Sequence, residues 1–228
     1  SFRFTNVAWN LTELQWGPNF ALRPQVSPAC IRVWGGGDDL TVSHCTFRHV
    51  TAGVVMKAVQ PGRPIDRVAI TDNDIRDTDH DAISIHEGIQ WGHTQPDAGG
   101  HLLDVRVLRN YIKDAGQRAA RVGSANAIDV ANGRVVEIAG NIIDRPWHAG
   151  INVRGAKISG NLRDVPLSRV LIYQNRVLDG IRNGDDCGNI ETWQGGPAYV
   201  FNNLSGNPGG FRNPSWMTGK DDPNRPGS

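Results

Sequence analysis

An asparagine-punctuated repeat is the feature of this chain that most limits how it can fold. Six stretches follow, fully or nearly, the pattern apolar-x-apolar-x-x-Asn-x-apolar, and Cys45 takes the asparagine position in the first of them. The asparagines of the other five are Asn73, Asn110, Asn141, Asn175 and Asn203. Successive repeats lie 28 to 37 residues apart, a spacing typical of folds that stack one structural unit on the next.

The residues before each asparagine alternate as in a β-strand and do not follow a helical period. Residues 68–71, 105–108 and 170–173 are rich in β-branched side chains, which disfavours a helical solenoid. Asparagine tolerates left-handed backbone and can hydrogen-bond its own chain, so it suits a tight bend between two strands. We therefore expect an all-β stack in which the bends place asparagine above asparagine.

A second strand in each unit shows one consistent alternation between core and surface. These strands begin at Ile31, Val54, Ile83, Ile128, Ile151 and Ile190. With the first and third positions facing the core, the second positions form an outward column of Arg32, Val55, Ser84, Asp129, Asn152 and Glu191. The fourth positions form a parallel column of Trp34, Lys57, His86, Ala131, Arg154 and Trp193. This face is polar, charged and aromatic, and it is the candidate site.

Unequal spacing between the second strands predicts loop insertions beside that face. Equivalent positions are separated by as few as 23 and as many as 45 residues. The extra residues fall mainly in 58–66, 89–102, 115–125 and 156–167. Loops on one side of a repeat stack usually wall a binding surface, so we expect them to flank the two columns.

Length and composition favour one domain and argue against several partners. The chain has 228 residues, of which 39% are hydrophobic, so residues 1–212 are assigned to one β-helix domain of a longer helix and residues 213–228 to an irregular C-terminal extension. A net charge of +1 without a Lys/Arg cluster argues against nucleic acid. No apolar run approaches the roughly 20 residues that span a bilayer, so no membrane partner is expected. The oligomeric state is left open.

Carboxylates of the first column suggest acid and base catalysis. Asp129 and Glu191 are separated by the strand of Asn152, so their backbones would lie about 9.6 Å apart at about 4.8 Å per coil. Inverting glycosidases hold their carboxyl groups about 6.5–9.5 Å apart and retaining ones about 5 Å apart, so the pair suits inversion better. Asp186 offers a closer partner. The structural alternative is a solvated Asp129, with Glu191 paired to Arg154 across coils.

Titratable residues also bracket the strand that begins at Ile83. They are Asp79, His80 and Asp81 before it and His86 and Glu87 at its end. Such a cluster is suited to bind a cation, to orient a sugar or to exchange protons, while aspartates at a bend equally suit holding turn backbone. The spacing matches no strong metal motif, so we expect no metal site and no cofactor, and no specific motif indicates calcium.

Two tryptophans lie on the second column. Flat apolar sugar faces stack on exposed indole rings, so Trp34 and Trp193 are candidate sugar platforms, with Trp193 the better one. Trp147, at a coil corner, is expected to be packed. Three cysteines, Cys30, Cys45 and Cys187, have no metal-like spacing and leave the redox compartment open.

Over residues 38–210, the stacked strands with asparagine bends resemble right-handed parallel β-helix proteins of the pectate-lyase-like superfamily. Residues 186–197, Asp-Cys-Gly-Asn-Ile-Glu-Thr-Trp-Gln-Gly-Gly-Pro, resemble a segment of bacterial β-helix glycoside hydrolases. The resemblance implies an all-β, right-handed parallel β-helix, a single-stranded solenoid with loop insertions, in a secreted, periplasmic or cell-surface protein. It gives the acid and base roles to Glu191 and to Asp186 or Asp129. The Gly-His-Gly and Arg-x-Lys signatures of polygalacturonases are absent, which argues against pectin hydrolysis of that type.

Three functions remain as hypotheses. The first is a glycoside hydrolase of a plant or algal polysaccharide, with Glu191 as acid and Asp129 or Asp186 as base. Its polysaccharide or oligosaccharide substrate would be bound by His86, Asn152, Arg154, Trp193, Glu87, Lys57 and Trp34. The second is a polysaccharide lyase, in which Lys57, His86 and Arg154 neutralise a uronate and abstract its C5 proton. The third is a non-catalytic carbohydrate-binding or structural β-helix.

Overall fold

All strand pairings between the described residues are parallel. The computed structural model describes residues 3–7, 29–87, 101–117, 126–154, 169–182, 188–193 and 198–207, with the backbone alone for residues 3–7 and Trp193. These residues form strands numbered β1 to β21 in chain order, and none of them is helical. Within this part of the chain, therefore, no helix could cross a membrane.

Three long parallel sheets contain nearly all of the strands. Sheet A consists of β1 (Arg3–Val7), β5 (Thr46–Val50), β9 (Asp74–Thr78), β12 (Tyr111–Lys113), β15 (Ile142–Asp144), β18 (Arg176–Leu178) and β21 (Leu204–Gly206). Sheet B consists of β2 (Ile31–Trp34), β6 (Val54–Ala58), β10 (Ile83–Glu87), β13 (Ile128–Ala131), β16 (Ile151–Arg154) and β19 (Ile190–Trp193). Sheet C consists of β4 (Thr41–Ser43), β8 (Val68–Thr71), β11 (Asp104–Leu108), β14 (Val135–Ala139), β17 (Arg169–Tyr173) and β20 (Ala198–Phe201). A short pair joins β3 (Gly37–Asp38) to β7 (Ile65–Asp66).

Each coil of the chain visits the three sheets in the same order. From β10 in sheet B the chain continues to β11 in sheet C, then to β12 in sheet A, and returns to sheet B as β13. Every return places the new strand beside its equivalent in the previous coil. The protein is therefore an all-β, right-handed parallel β-helix; the repeat predicts the all-β stack, and the resemblance implies the β-helix.

Alternating apolar positions of all three sheets fill the interior of the helix. In sheet B the first and third residues of β10, Ile83 and Ile85, are fully buried. Ile70 and Val107 of sheet C and Ile143 of sheet A are equally buried. Because side chains alternate across a strand, the remaining positions of each strand point away from this core. The core and the outward columns are thus set by the same period of two.

The predicted asparagine stack is present at the bend between sheets C and A. Asn73 Nδ2 donates to Asn110 Oδ1 (2.9 Å), Asn110 to Asn141 (3.0 Å), Asn141 to Asn175 (2.9 Å) and Asn175 to Asn203 (3.0 Å). Each acceptor oxygen also receives the backbone N–H of the preceding asparagine, as in Asn110 N–H to Asn141 Oδ1 (2.9 Å). These bonds satisfy polar groups that would otherwise be buried without partners.

The left-handed backbone at this bend belongs to the residue before each asparagine, and the prediction that asparagine itself adopts it is wrong. The residues with positive φ are His44, Asp72, Arg109, Gly140, Gln174 and Asn202. A second left-handed residue lies at the end of six strands of sheet A, four positions after the stacked asparagine or Cys45. These residues are His49 and Asp77, next to last in β5 and β9, and Asp114, Arg145, Asp179 and Asn207, directly after β12, β15, β18 and β21. The stacked asparagines themselves do not adopt left-handed backbone. Their side chains form the hydrogen bonds of the bend instead.

Some predictions lie outside the described residues. These are Asp186, Cys187, most of the insertions and the C-terminal extension of residues 213–228. The described insertion, residues 58–66, contains β7, which pairs with β3. Of the other cysteines, Cys45 is buried at the head of the asparagine ladder, and burial raises the pKa of Cys30 to about 11.

Candidate functional site

The strand register of sheet B confirms both predicted columns. Across the sheet, Arg32 pairs with Val55, Val55 with Ser84, Ser84 with Asp129, Asp129 with Asn152, and Asn152 with Glu191. In the second column Trp34 pairs with Lys57, Lys57 with His86, His86 with Ala131, Ala131 with Arg154, and Arg154 with the backbone of Trp193. Residues from six different repeats therefore meet on one outward face.

The middle of this face is much less exposed than an outward face of a lone sheet would be. Asp129 is 1% exposed, Arg154 5% and Lys57 6%. Arg32, on the first strand, is exposed, and Glu191, on the last, is half-buried. The alternative of a solvated Asp129 is thereby wrong. Charged groups that are shielded in this way interact strongly with one another.

Four ionisable side chains converge at the centre of the face. His86 Nε2 lies 2.8 Å from Asp129 Oδ2, and Arg154 Nη2 donates to the same oxygen at 2.6 Å. Lys57 Nζ lies 3.3 Å from His86 Nδ1, on the other side of the imidazole. Ala131 occupies the position between His86 and Arg154, and its small side chain leaves room for the guanidinium to reach across. We call these four residues, Lys57, His86, Asp129 and Arg154, the basic cluster.

The surrounding contacts assign the proton of His86. The ammonium form of Lys57 only donates, so Nδ1 of His86 is assigned as the acceptor in that contact. Nε2 is then assigned the proton and donates to Asp129 Oδ2 at 2.8 Å, and the Ser84 hydroxyl (3.1 Å) and Arg154 Nη2 (3.3 Å) lie near the same nitrogen. The imidazole is thus a neutral bridge between the ammonium and the carboxylate.

Burial and the neighbouring charges shift the pKa values of the cluster in a consistent way. Burial lowers the pKa of Lys57 to about 8, although the charges of Asp129 and Asp81 oppose the shift. Burial, together with the Lys57 charge, lowers the pKa of His86 to about 4. Burial acts to raise the pKa of Asp129, but Arg154 and His86 outweigh it and the net shift is strongly downward. Near neutral pH, His86 is therefore neutral and Asp129 ionised.

The two predicted catalytic carboxylates occupy different surroundings. Asp129 is committed to Arg154 and His86, so it stays ionised and does not serve as a proton donor. Arg154 forms this ion pair with Asp129, whereas the sequence suggested Glu191 as its structural partner. Glu191 lies one strand beyond Asn152, in the same column as Asp129 and two strands from it. Asp186 lies outside the described residues.

Two buried oxygen acceptors on this face lack a hydrogen-bond partner among the described residues. They are Asp129 Oδ1 and Asn152 Oδ1, on neighbouring strands and in register. Buried acceptors without donors are unfavourable, so both are suited to receive a hydroxyl or a water. Asn152 therefore lies beside the basic cluster with an acceptor oxygen that has no partner among the described residues.

The remaining predicted binding residues are placed differently. Glu87 Oε2 accepts the backbone N–H of Leu102 (3.0 Å), so Glu87 anchors backbone and does not join the basic cluster. Trp34 is half-buried, and the Arg32 guanidinium lies 6.0 Å from its ring centroid. Trp34 pairs with Lys57 on the neighbouring strand, so it adjoins the basic cluster. Nothing is described of the Trp193 side chain. Trp147 is partly covered by the Arg182 guanidinium, 5.2 Å from its ring centroid.

Asp81 also influences the basic cluster. The sequence analysis names it only as one of the titratable residues before the strand that begins at Ile83. Its Oδ1 accepts the backbone N–H of Asn126 in the next coil (2.8 Å), which is the turn role expected of an aspartate. It is also buried, and its charge acts on the pKa of Lys57. Only the fold, which brings residue 81 near residue 57, reveals that second effect.

No group of three or more His, Cys, Asp or Glu side chains suited to a metal ion occurs among the described residues. Comparisons with protein-family models, with curated proteins and with solved structures found no match to this chain.

Proposed function

We propose that this protein is a carbohydrate-active enzyme that cleaves an acidic polysaccharide by β-elimination on the outward face of sheet B. We further propose that it is a lyase of the pectate-lyase-like superfamily, acting outside the cytoplasm where such polymers occur. The observation that carries the proposal is Lys57, a buried lysine with a pKa of about 8 in contact with a neutral imidazole. Groups with pKa values shifted by burial and specific partners are concentrated at functional sites.

Lys57 has the properties of a general base. A base works best when its pKa is close to the operating pH, because it is then often deprotonated and still binds a proton well. An ordinary lysine, with a pKa of 10.5, is almost wholly protonated at pH 8, whereas about half of Lys57 is neutral there. His86 orients the amine through Nδ1 and is itself fixed by Asp129.

The small exposures of the cluster suit the floor of a cleft. Ile83 and Ile85 of the same sheet are 0% exposed, whereas Lys57 and Arg154 retain 6% and 5% and the His86 side chain 17%. These residues thus keep a limited contact with solvent that Ile83 and Ile85, on the inner face of the same strand, lack. Cleft walls exclude most water and strengthen the electrostatic interactions within.

The proposed reaction is balanced with the groups at hand. Lys57 Nζ takes the C5 proton of a uronate, and the electron pair of that C–H bond forms the C4–C5 double bond. The C4–O glycosidic bond breaks, and the leaving oxygen receives the proton from the newly formed Lys57 ammonium. Arg154 brings a fixed positive charge that stabilises the negative charge developing at the uronate carboxylate. Asn152 receives a sugar hydroxyl through its free Oδ1.

Hydrolysis is the second candidate, favoured by the placement of Glu191 two strands from Asp129 in one column. In that case Asp129 would be the base and Glu191 the acid, as paired carboxylates act in inverting glycosidases. The strongly lowered pKa of Asp129 makes it a weak base, which is why elimination is the better-supported reaction.

A panel of acidic and neutral polysaccharides tests the proposal. Products are followed by ultraviolet absorbance, which detects the unsaturated uronate, and by reducing ends. We expect an uronate polymer to give both signals in step. Lys57→Met should lower the turnover number at least a hundredfold, the low end of what a general base contributes. Glu191→Gln should change it only a few-fold.

Lys113→Met is the matched control, because Lys113 lies on sheet A and not in the cluster. It should leave the turnover number on short oligosaccharides unchanged. Reducing ends without ultraviolet absorbance, lost in Glu191→Gln, would establish hydrolysis instead. If neither signal appears with any polymer, both reactions are rejected and the non-catalytic hypothesis remains.

A further inference from the structure

The last described coil exposes one strand on both of its faces and along one edge. This strand, β20 (Ala198–Phe201), is the end strand of sheet C, and among the described strands it pairs with β17 alone. All four of its residues are exposed, with Tyr199 at 55%, Val200 at 48% and Phe201 at 45%. A strand in this position offers unpaired backbone N–H and C=O groups to another strand.

Val200 marks the open end of the hydrophobic core. It occupies an inward position, in register with Ile172 and, one coil further, with Ile138. Both isoleucines are fully buried, because the next coil covers each of them. No described coil covers Val200, so an apolar side chain on the inner face of the helix is left exposed. Whatever covers this end must therefore supply apolar groups as well as backbone hydrogen bonds.

The outward side of the same strand is aromatic. The Phe201 ring stacks on the Tyr173 ring of the previous coil, with centroids 5.1 Å apart and an interplanar angle of 1°. Since Tyr173 covers one face of the Phe201 ring, the other face points towards the open end of the helix. That face is suited to pack against another aromatic ring.

The exposed strand lacks the features that protect most edge strands. Natural edge strands carry charges, prolines or bulges that prevent pairing with another chain. Ala198–Phe201 contains no charged residue and no proline, and its pairing with β17 is regular. At the opposite end of sheet C, the edge strand β4 (Thr41–Ser43) is shorter and contains two hydroxyl side chains. The end of sheet C at β20 is therefore the one suited to association.

A second copy of this chain is complementary to the exposed strand. Two β20 strands that pair antiparallel about a two-fold axis at Val200 place this valine opposite its own equivalent. Because side chains alternate with a period of two, both valines then face the core. Each Tyr199 lies opposite the Phe201 of the other copy, and such aromatic cross-strand pairs stabilise sheets.

Charges do not oppose this arrangement. A two-fold axis through sheet C exchanges sheets A and B, so it places β19 of one copy over β21 of the other. Glu191 is the charged residue of β19, whereas β21 (Leu204–Gly206) has none. The two Glu191 carboxylates are therefore not brought opposite each other.

The sequence after β21 does not predict a further coil of the same kind. Residues 208–228 contain four prolines and no copy of the asparagine repeat. A second copy, in contrast, supplies a strand of suitable composition and register.

We propose that this protein forms a tail-to-tail dimer, in which the β20 strands of two copies join their C sheets across a two-fold axis. The dimer covers Val200 and the open face of the Phe201 ring. It is independent of the proposed catalytic function, because the residues of the basic cluster lie on other strands.

Sedimentation equilibrium of the whole chain at about 1–100 µM tests the dimer. We expect a dimer and no larger species, because two-fold pairing uses the exposed strand of each copy. Val200→Arg places unpaired charges in the interface and should weaken association at least about tenfold. Val135→Arg is the matched control, since Val135 is 44% exposed but lies on β14, two coils away, and it should leave association unchanged. Circular dichroism verifies that both variants fold.

Cysteine cross-linking tests the register of the two strands. Opposite residues of antiparallel strands have Cα atoms about 4.5–5.5 Å apart, a distance that a disulfide spans. Under mild oxidation, Val200→Cys should therefore join two copies covalently, whereas Val135→Cys, with the same native cysteines, should not.

Three results would overturn the proposal. A monomer at every concentration would leave residues 208–228 or another protein to cover the end. Growth into larger assemblies would indicate head-to-tail stacking instead. Equal behaviour of the Val200 and Val135 variants, in association or in cross-linking, would show that β20 is not the interface.

Discussion

Among single residues, Lys57 departs far from its ordinary chemistry. It is buried beside a neutral histidine and within reach of two carboxylate charges, and the balance still lowers its pKa to about 8. A charged group in such a place destabilises the fold unless it is paired, which is why the proposed function rests on Lys57. His86, Asp129 and Arg154 complete the arrangement by fixing one another's positions.

The sequence placed these residues well but not their interactions. The period of two and the repeat spacing were enough to put Lys57, His86 and Arg154 in one column and Asp129 beside them. The side-chain directions were not available, so the Asp129–Arg154 ion pair was missed. The burial of Lys57, Asp129 and Arg154 was missed for a similar reason, because the sequence pattern shows that a strand position points outward but not what covers it.

The pH dependence of stability tests the state of His86. Its pKa is about 4 in the folded protein and 6.5 in the reference state, so between these values the unfolded chain binds more protons. Stability therefore falls as pH drops from 6.5 towards 4, by roughly 2–3 kcal/mol over that window. Urea unfolding at pH 7 and pH 5 measures the effect. His86→Gln should remove most of the loss above pH 5, and an unchanged slope in this variant would show that His86 is not the group responsible.

Among the elements, the bend between sheets C and A is the most informative. Each bend holds a left-handed residue, which is unfavourable by about 1–2 kcal/mol when it is not glycine. Only Gly140 is a glycine among the residues preceding the ladder positions. The asparagine ladder, with several hydrogen bonds per buried asparagine, offsets this strain. The sequence predicted the ladder from its turn chemistry, but it could not locate the left-handed residues, since His, Asp, Arg and Gln at those positions carry little signal.

Position along the ladder should decide how much an asparagine contributes to stability. Asn141→Ala removes the acceptor of the Asn110 N–H and the donor to the Val107 carbonyl, and both groups are then buried without partners. We expect a loss of about 2–4 kcal/mol in the free energy of unfolding. Asn203→Ala, at the partly exposed end of the ladder, should cost about 1 kcal/mol because water replaces its bonds. Urea denaturation measures both, and equal losses would contradict a graded ladder.

For the whole molecule, the net charge of +1 conceals an uneven distribution. The stack brings distant residues into register, so a buried basic cluster lies on the outward face of sheet B. The sequence showed no local Lys/Arg cluster, and correctly so, because the cations are gathered only by the coil spacing. The fold itself could be predicted, since one repeated unit specifies a solenoid.

A titration of Lys57 is the most direct test of the account. Protein labelled with ¹³C in lysine is followed by nuclear magnetic resonance from pH 6 to pH 11, and the signal missing from Lys57→Met identifies the residue. The account predicts a midpoint near 8, as burial beside the neutral His86 requires. A midpoint near the ordinary value of 10.5 would contradict it, because Lys57 would then be protonated at physiological pH and unable to act as the base.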